Sequence, residues 1–509
     1  MRRWLLAHPL LVCLPVQAAL LLHRLSALPM WGDEDASLAR AALSSDALIV
    51  ALRDNVHPPL YALLLGGWLA LPWEAPALLR ARALSALLVL LATVVLTRTW
   101  LHGLAPRTRA WFLAVWTLSP ALLLYGRMAR SYSLQLLLGP LALWLGWRCL
   151  QQPGVGAALA YATAAALLLY THYLPGLAVL AAVALLATWR LLTRREARWL
   201  VPLLVPPLAI ALASLAWLPL LGAAVRRVGA AAAPVVFGHP VLDAGAALAF
   251  TAVSFTVGEM LRPWMATLAA PLAAGIALLL WRAARRPPPW AALLLLTAMV
   301  ATAGALQWVS VAFVAGRLLF LLPFLLLLLV DGGAQMPRLR AAVCLGLLCM
   351  SLAATQAYFA RAGFLNKAYV IPMRAIARTI RAHTQGAPRL VLDHHSTNLT
   401  PLRRYLPRRA QVLFVVDEAS AATAAALADA PGGRPVWLVR AAHDSSPAGL
   451  SARVEAAWAA RCPLGRRRFV RYGAIDHALM AVAGWPQRPT HAIELVALRC
   501  PPGGAPQQR

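Results

Sequence analysis

Three acids, Asp33, Glu34 and Asp35, stand in a row in the run Trp31-Gly32-Asp33-Glu34-Asp35-Ala36-Ser37. Asp46 and Asp54 follow before His57-Pro58-Pro59-Leu60-Tyr61. Only 18 of the 509 residues are Asp or Glu and the formal net charge is +29, so such a cluster is foreign to the rest of the chain. Capping of a helix start accounts for one acid, whose oxygen accepts a backbone N–H, but not for three. A carboxylate held where lipid and neighbouring helices limit water can be tuned to take a proton from an attacking hydroxyl. The expected chemistry is catalysis by Asp33, Glu34 and Asp35, with one of them as base. His57 and Tyr61 would bind substrate from a segment stiffened by two prolines, which otherwise only starts a helix.

A second group carries positive charge and rings. Gly126-Arg127-Met128-Ala129-Arg130-Ser131-Tyr132-Ser133-Leu134, Tyr170-Thr171-His172-Tyr173 and Gly316-Arg317 all fall at helix ends on the acidic side. Arginine forks suit phosphate, and charge at membrane depth is costly without a function, which makes Arg127, Arg130 and Arg317 candidates to hold an anionic leaving group. Snorkelling to headgroups is the alternative for each. Tyr132, His172 and Tyr173 are further candidates for substrate contact, although an interfacial aromatic belt explains the tyrosines too.

The elements that must position these residues are set by composition. Hydrophobic residues make up 61%, charged residues 13%, and mean hydropathy is +0.68. Apolar runs of about twenty residues recur, each enough for a hydrocarbon core of about 30 Å. This predicts a polytopic α-helical membrane protein whose first run, residues 4–29, is an anchoring helix and not a removed leader. Arginine-bearing loops at 2–3, 98–109, 148, 190–198, 282–286 and 338–340 mark the cytoplasmic side. The opposite side receives loop 31–75, the turns near 126–132 and 170–174, segment 222–262 and everything after about residue 360. The count is about eleven transmembrane helices, with residues 60–72 and 240–258 lying on the outer interface; about thirteen results if these two cross.

The tail reads differently. Short β-rich runs at 389–393, 412–416, 436–440 and 493–499 alternate with Ala-rich helical stretches such as 419–430, which predicts a C-terminal extracytoplasmic α/β domain over 360–509 with a parallel sheet, after a transmembrane domain over 1–359. It has no glycine-rich phosphate loop, so no nucleotide is assigned. Its excess of basic residues faces anionic lipid or glycan, or reflects the drift of an arginine- and alanine-rich, high-GC bacterial composition. Cys13, Cys149, Cys344 and Cys349 read as small buried apolar residues, whereas Cys462 and Cys500 could pair in an oxidising compartment.

Together the Asp-Glu pair of the first outer loop, His57-Pro58-Pro59-Leu60-Tyr61, the segment Gly126–Leu134, Tyr170–Tyr173 and Gly316-Arg317 before Leu-Pro-Phe-Leu resemble the bacterial glycosyltransferase family 39 proteins, of the GT-C superfamily. Those proteins are similar to protein O-mannosyltransferases and to the lipid A aminoarabinose transferase. The resemblance spans residues 1–335 and leaves the tail outside it. It implies a GT-C type fold and transfer of a sugar from a polyprenyl-phosphate donor to a lipid, glycan or protein acceptor on the periplasmic face. Asp33 matches the acid that acts as base or orients the acceptor, and Asp35 departs from the commoner Asp-Glu-Ala. Some such enzymes need a divalent metal. Glu34, His57, His172 and His239 are conceivable ligands here but form no clear set.

The expected protein is a multi-pass enzyme of the bacterial inner membrane with a periplasmic carboxyl terminus and no nucleic-acid partner. One base and one leaving-group clamp suffice for a single direct displacement, which inverts the anomeric centre. The rivals are a lipid or glycan transporter or flippase, whose polar groups should gather in discontinuous helices near mid-membrane, and a non-catalytic GT-C scaffold.

Overall fold

The computed structural model describes residues 9–53, 57–217, 222, 240–307, 314–384, 386–393, 397–427, 436–441, 449–482 and 489–498. The chain divides into two compact units, Met1–Leu25 with Ser37–Ala362, and Ser26–Ala36 with Gly363–Arg509.

The elements described in the first unit are helical. They are α1 (Pro9–Leu22), α2 (Gly32–Ala41, entering from the second unit), α3 (Ser45–Arg53), α4 (Leu60–Ala70), α5 (Ala77–Arg98), α6 (Pro106–Thr117), α7 (Pro120–Tyr125) and α8 (Tyr132–Gln151). Then follow α9 (Val155–Thr171), α10 (Tyr173–Arg194), α11 (Leu200–Ala213), α12 (Pro240–Thr256), α13 (Met265–Arg285), α14 (Ala291–Gln307), α15 (Leu322–Gly332) and α16 (Pro337–Ala360). Among the described residues, six segments are long and apolar enough to cross a bilayer: Ala77–Arg98, Tyr132–Gln151, Tyr173–Arg194, Thr267–Arg285, Ala315–Gln335 and Pro337–Ala360. Six shorter apolar helices accompany them, including Leu60–Ala70 and Val241–Thr256, the two assigned to the interface from sequence. The chain is a multi-pass helical membrane protein.

These helices are apolar all round because both environments are apolar. Leu185, Trp189 and Leu192 of α10 and Leu204, Leu208 and Leu212 of α11 are exposed, as lipid-facing positions would be. The inward stripes are marked by small residues: α5 buries Ala81, Ser85, Ala92 and Thr93, and α9 buries Ala158, Ala162 and Ala165, which lets backbones approach. α8 packs against α5, α9 and α10. At Gly139 of α8 a Cβ would lie 2.7 Å from Phe320 of the 3-10 segment Ala315–Leu321, so the close approach of that segment requires glycine. One polar cluster joins three helices inside: Thr93 Oγ1 donates to Gln17 Oε1 (2.7 Å) and accepts from Trp116 Nε1 (2.8 Å), linking α1, α5 and α6.

The second unit is built on a five-stranded sheet: β1 (Arg389–Asp393), β2 (Gln411–Val415), β3 (Val436–Ala441), β4 (Leu464–Arg471) and β5 (His491–Leu498), in the order β2-β1-β3-β5-β4. β1 pairs parallel with β2 and β3, while β5 pairs antiparallel with β3 and β4. The four expected strands are all present. The sheet is mixed and not wholly parallel, because β4 and β5 add an antiparallel edge. Alternation sends Leu390 and Leu392 to one face, against Ile376 and Ile380 of α17 (Met373–Ala382), with Leu399 and Leu402. Val391 turns to the other face, against α18 (Glu418–Ala426) and α19 (Leu450–Ala459), where Trp458 is fully buried. β4 was not expected. Its sequence Leu464-Gly-Arg-Arg-Arg-Phe-Val-Arg471 hides an edge strand behind arginines, two of which are neutralised by Glu455 and Glu494. Cys462, just before β4, is disulfide-bonded; Cys500 lies outside the described residues. Cys13, Cys149, Cys344 and Cys349 are free, but Cys349 is exposed where a buried position was expected.

Candidate functional site

The three acids occupy the first turn of α2 and have three different placements. Glu34 is fully buried and its Oε2 accepts the Trp31 backbone N–H at 3.5 Å, while the Glu34 and Asp35 amides return to Trp31 O at 3.1 Å. That is the capping role expected of one acid, and Glu34 fills it. Asp35, also buried, forms an ion pair with Arg404. Asp33 is half-buried. Positions 33, 37 and 40 recur at the i, i+4, i+7 spacing of one helix face, so Asp33 shares its face of α2 with Ser37 and Arg40.

Ser37 and Arg40 line a pocket. Its other walls are His57 and Pro58, Tyr61 and Ala62 at the start of α4, Arg130 and Ser131 in the turn before α8, and Thr171 at the end of α9. Pro58 lines the pocket and Pro59 is the N-cap of α4, where its ring fixes the backbone just ahead of buried Tyr61. Tyr61 OH lies 3.5 Å from Ser85 Oγ, which donates to Met128 O at 2.6 Å, tying this wall to the 126–131 turn. Arg130 is 7% exposed, reaches Ser37 Oγ at 3.4 Å and sits 5.8 Å over the Tyr132 ring.

The electrostatics are those of an anion site. Burial, then Arg130, Arg40, His172 and Arg317 in that order, hold the His57 imidazole well below its ordinary range. Burial, then Arg317 and Arg130, push His172 down to about 3. Both rings are therefore neutral at physiological pH, and the positive charge is carried by the guanidinium groups. His172 Nδ1 is buried with no partner among the described residues.

His57, Tyr61 and Arg130 are thus brought to one pocket, with His172 and Arg317 near enough to act on the His57 charge. Arg127 is placed elsewhere: it donates to the carbonyls of His23 and Arg24, both at 2.7 Å, and its guanidinium lies over Tyr358 and Phe359, clamping the end of α1 to α16. Tyr132 packs edge-on against Tyr125, and Tyr173 OH accepts from Trp217 Nε1 at 2.9 Å. Asp54 and His239 lie outside the described residues. Among the described residues no group of three His, Cys, Asp or Glu side chains is arranged to hold a metal.

Sequence reasoning missed Ser37, Arg40 and Thr171. The first two were legible as the i+4 and i+7 partners of Asp33. It also missed Glu259, a buried acid whose Oε1 accepts from Tyr125 OH and from Ser254 Oγ (2.8 Å) while Oε2 has no partner among the described residues. Tyr125 in turn packs against Tyr132 and Gly316, where a Cβ would lie 2.7 Å from the Tyr125 ring. Burial pushes Glu259 up from 4.5 to about 7, against the opposing pull of the Tyr125 and Ser254 hydrogen bonds. The native state therefore holds this proton where the unfolded chain has lost it. Stability from this group is complete below about 4.5 and lost as pH rises through about 7. Glu259→Gln is expected to flatten that dependence and raise the melting temperature at pH 8 by at least about 2 °C. Melting curves of both proteins from pH 5 to 8 check it, and parallel curves would remove Glu259 from the pH response.

No family model and no curated relative matches the chain. Among solved structures it is similar to ArnT from Cupriavidus metallidurans bound to undecaprenyl phosphate, at 14% identity over 88% of this chain and 89% of that one, with a TM-score of 0.47. At that degree of likeness the chemistry of this chain rests on its own residues.

Proposed function

We propose that the protein is a membrane glycosyltransferase that moves a sugar from a polyprenyl-phosphate donor to an acceptor on the periplasmic face. The observation that carries this is the pocket where Arg40 and Arg130 stand with neutral His57 and Ser37, on the helix face that Asp33 shares. A lipid-linked sugar leaves as an anionic phosphate, and fixed guanidinium groups aimed at that charge stabilise its departure without solvent reorganisation. Asp33 takes the acceptor proton, and a single displacement inverts the anomeric centre. A neutral His57 donates or accepts one hydrogen bond without adding charge. In this reading residues 1–359 form the membrane domain with about eleven crossings and residues 360–509 face the periplasm. The disulfide at Cys462 supports an oxidising compartment for the tail.

The purified protein in nanodiscs, given polyprenyl-phosphate-linked sugars extracted from membranes, is expected to release polyprenyl phosphate only when acceptor is present. Mass analysis of envelope glycans and glycoproteins from a deletion strain identifies the missing sugar and its carrier. An unchanged envelope, with no donor turnover in vitro, rejects the reading.

A further inference from the structure

The Ser26–Ala36 segment, which carries all three acids, groups with the C-terminal unit and not with the helices that flank it in sequence. Two contacts account for this. The Trp31 ring meets the Tyr369 ring edge-on, 5.0 Å apart at 89°, with both residues buried. The Asp35 carboxylate, 4% exposed, pairs with Arg404, 40% exposed.

The platform behind these contacts is packed and hydrogen-bonded. Arg404 lies near the end of the 3-10 segment Thr397–Tyr405, whose Leu399 and Leu402 are fully buried on one sheet face. Tyr369 lies in the 3-10 turn Lys367–Val370, capped by Asn366 Oδ1, which accepts the Ala368 N–H at 3.0 Å, and Lys367 pairs with Asp476 at 2.7 Å. The core of this unit is apolar, and Arg404 lies at its surface, 40% exposed.

We infer that the C-terminal unit sets the working position of the acidic turn, with Arg404 as the positioning residue acting through Asp35. The inference rests on the glycosyltransferase reading for its catalytic consequence, though not for its contacts. Asp33 and Asp35 belong to one helical turn, so a turn held through Asp35 fixes where Asp33 stands. A base must lie within hydrogen-bond reach of the hydroxyl it deprotonates, and an error of about 1 Å is enough to cost rate heavily.

The test uses the full-length protein with Arg404→Ala, Arg404→Lys, Asp35→Asn, the Asp35→Asn/Arg404→Ala double variant, and Arg403→Ala as a neighbouring surface control. Arg404→Ala is expected to reduce hydrogen-exchange protection of the 31–36 amides about tenfold, because local opening no longer breaks an ion pair. Turnover should fall about tenfold or more while the donor KM stays within about twofold, the split expected when a base is misplaced and donor contacts remain. Arg404→Lys should recover part of both, and Arg403→Ala should match wild type. The double variant should be no worse than the poorer single one, because both remove one interaction. Wild-type exchange in Arg404→Ala, or losses that multiply in the double variant, overturn the inference. If the wild-type protein transfers no sugar, the functional reading fails and the exchange result still decides the positioning. If wild type and Arg404→Ala transfer equally, the positioning fails and the functional reading stands.

Discussion

Asp33→Asn is expected to lower sugar transfer at least about 10²-fold, the lower end of what a positioned base contributes. Insertion, melting temperature and donor binding should not change. The argument is one of placement. Glu34 Oε2 accepts the Trp31 amide at the start of α2, and Asp35 pairs with Arg404. Asp33 stands on the face of α2 that also carries Ser37 and Arg40, the two pocket-lining residues of that helix. Glu34→Ala should act mainly on stability, by about 1 kcal/mol as for a lost cap. Asp35→Asn should act through position, as Arg404→Ala does. Turnover assays on the three variants separate these roles. A loss at Asp35→Asn larger than at Asp33→Asn would move the base by two residues and onto a different side of the helix.

How much of this was legible in the sequence depends on the range of the interaction. The helices follow from apolar runs, and the strands at 389–393 and 436–441 from short aliphatic stretches buried on both faces. β4 was hidden because its residues read as a solvated basic run. It is a strand because it pairs antiparallel with β5, where Glu494 meets Arg468 while Glu455 meets Arg466. The pairing of the acidic turn with the tail was equally invisible: nothing in Arg403-Arg404 distinguishes the second arginine until the 3-10 turn points it at Asp35. The three outer arginines looked equivalent as cations at helix ends. Packing separates them, because the carbonyls left open after α1 turn Arg127 into a clamp while Arg130 reaches Ser37. Glu259 stood alone among apolar residues, and only its contact with Tyr125 makes it part of the wall behind Arg130.

That separation makes the arginines unequal in a second experiment. Arg130→Ala is expected to lower turnover about 10²–10³-fold, the range seen when one donor to a developing oxyanion is removed. Arg130→Lys keeps the charge but loses the planar fork, so it should be impaired less. Arg317, which acts on His57 and His172 through charge, should show the same order of loss between its Ala and Lys variants, with the effect carried partly by the histidines: without that charge both imidazoles become easier to protonate. Arg127→Ala should instead lower the melting temperature, because it leaves two backbone carbonyls and two aromatic rings without their cation. Ser37→Ala controls for the loss of the Arg130 hydrogen bond and should cost far less than Arg130→Ala. The decisive comparison is donor affinity against rate. A guanidinium whose contact tightens as the phosphate departs costs the rate more than the affinity when it is removed. Equal losses in both would leave Arg130 as a donor-binding residue only, and normal turnover in Arg130→Ala would place the leaving group outside this pocket.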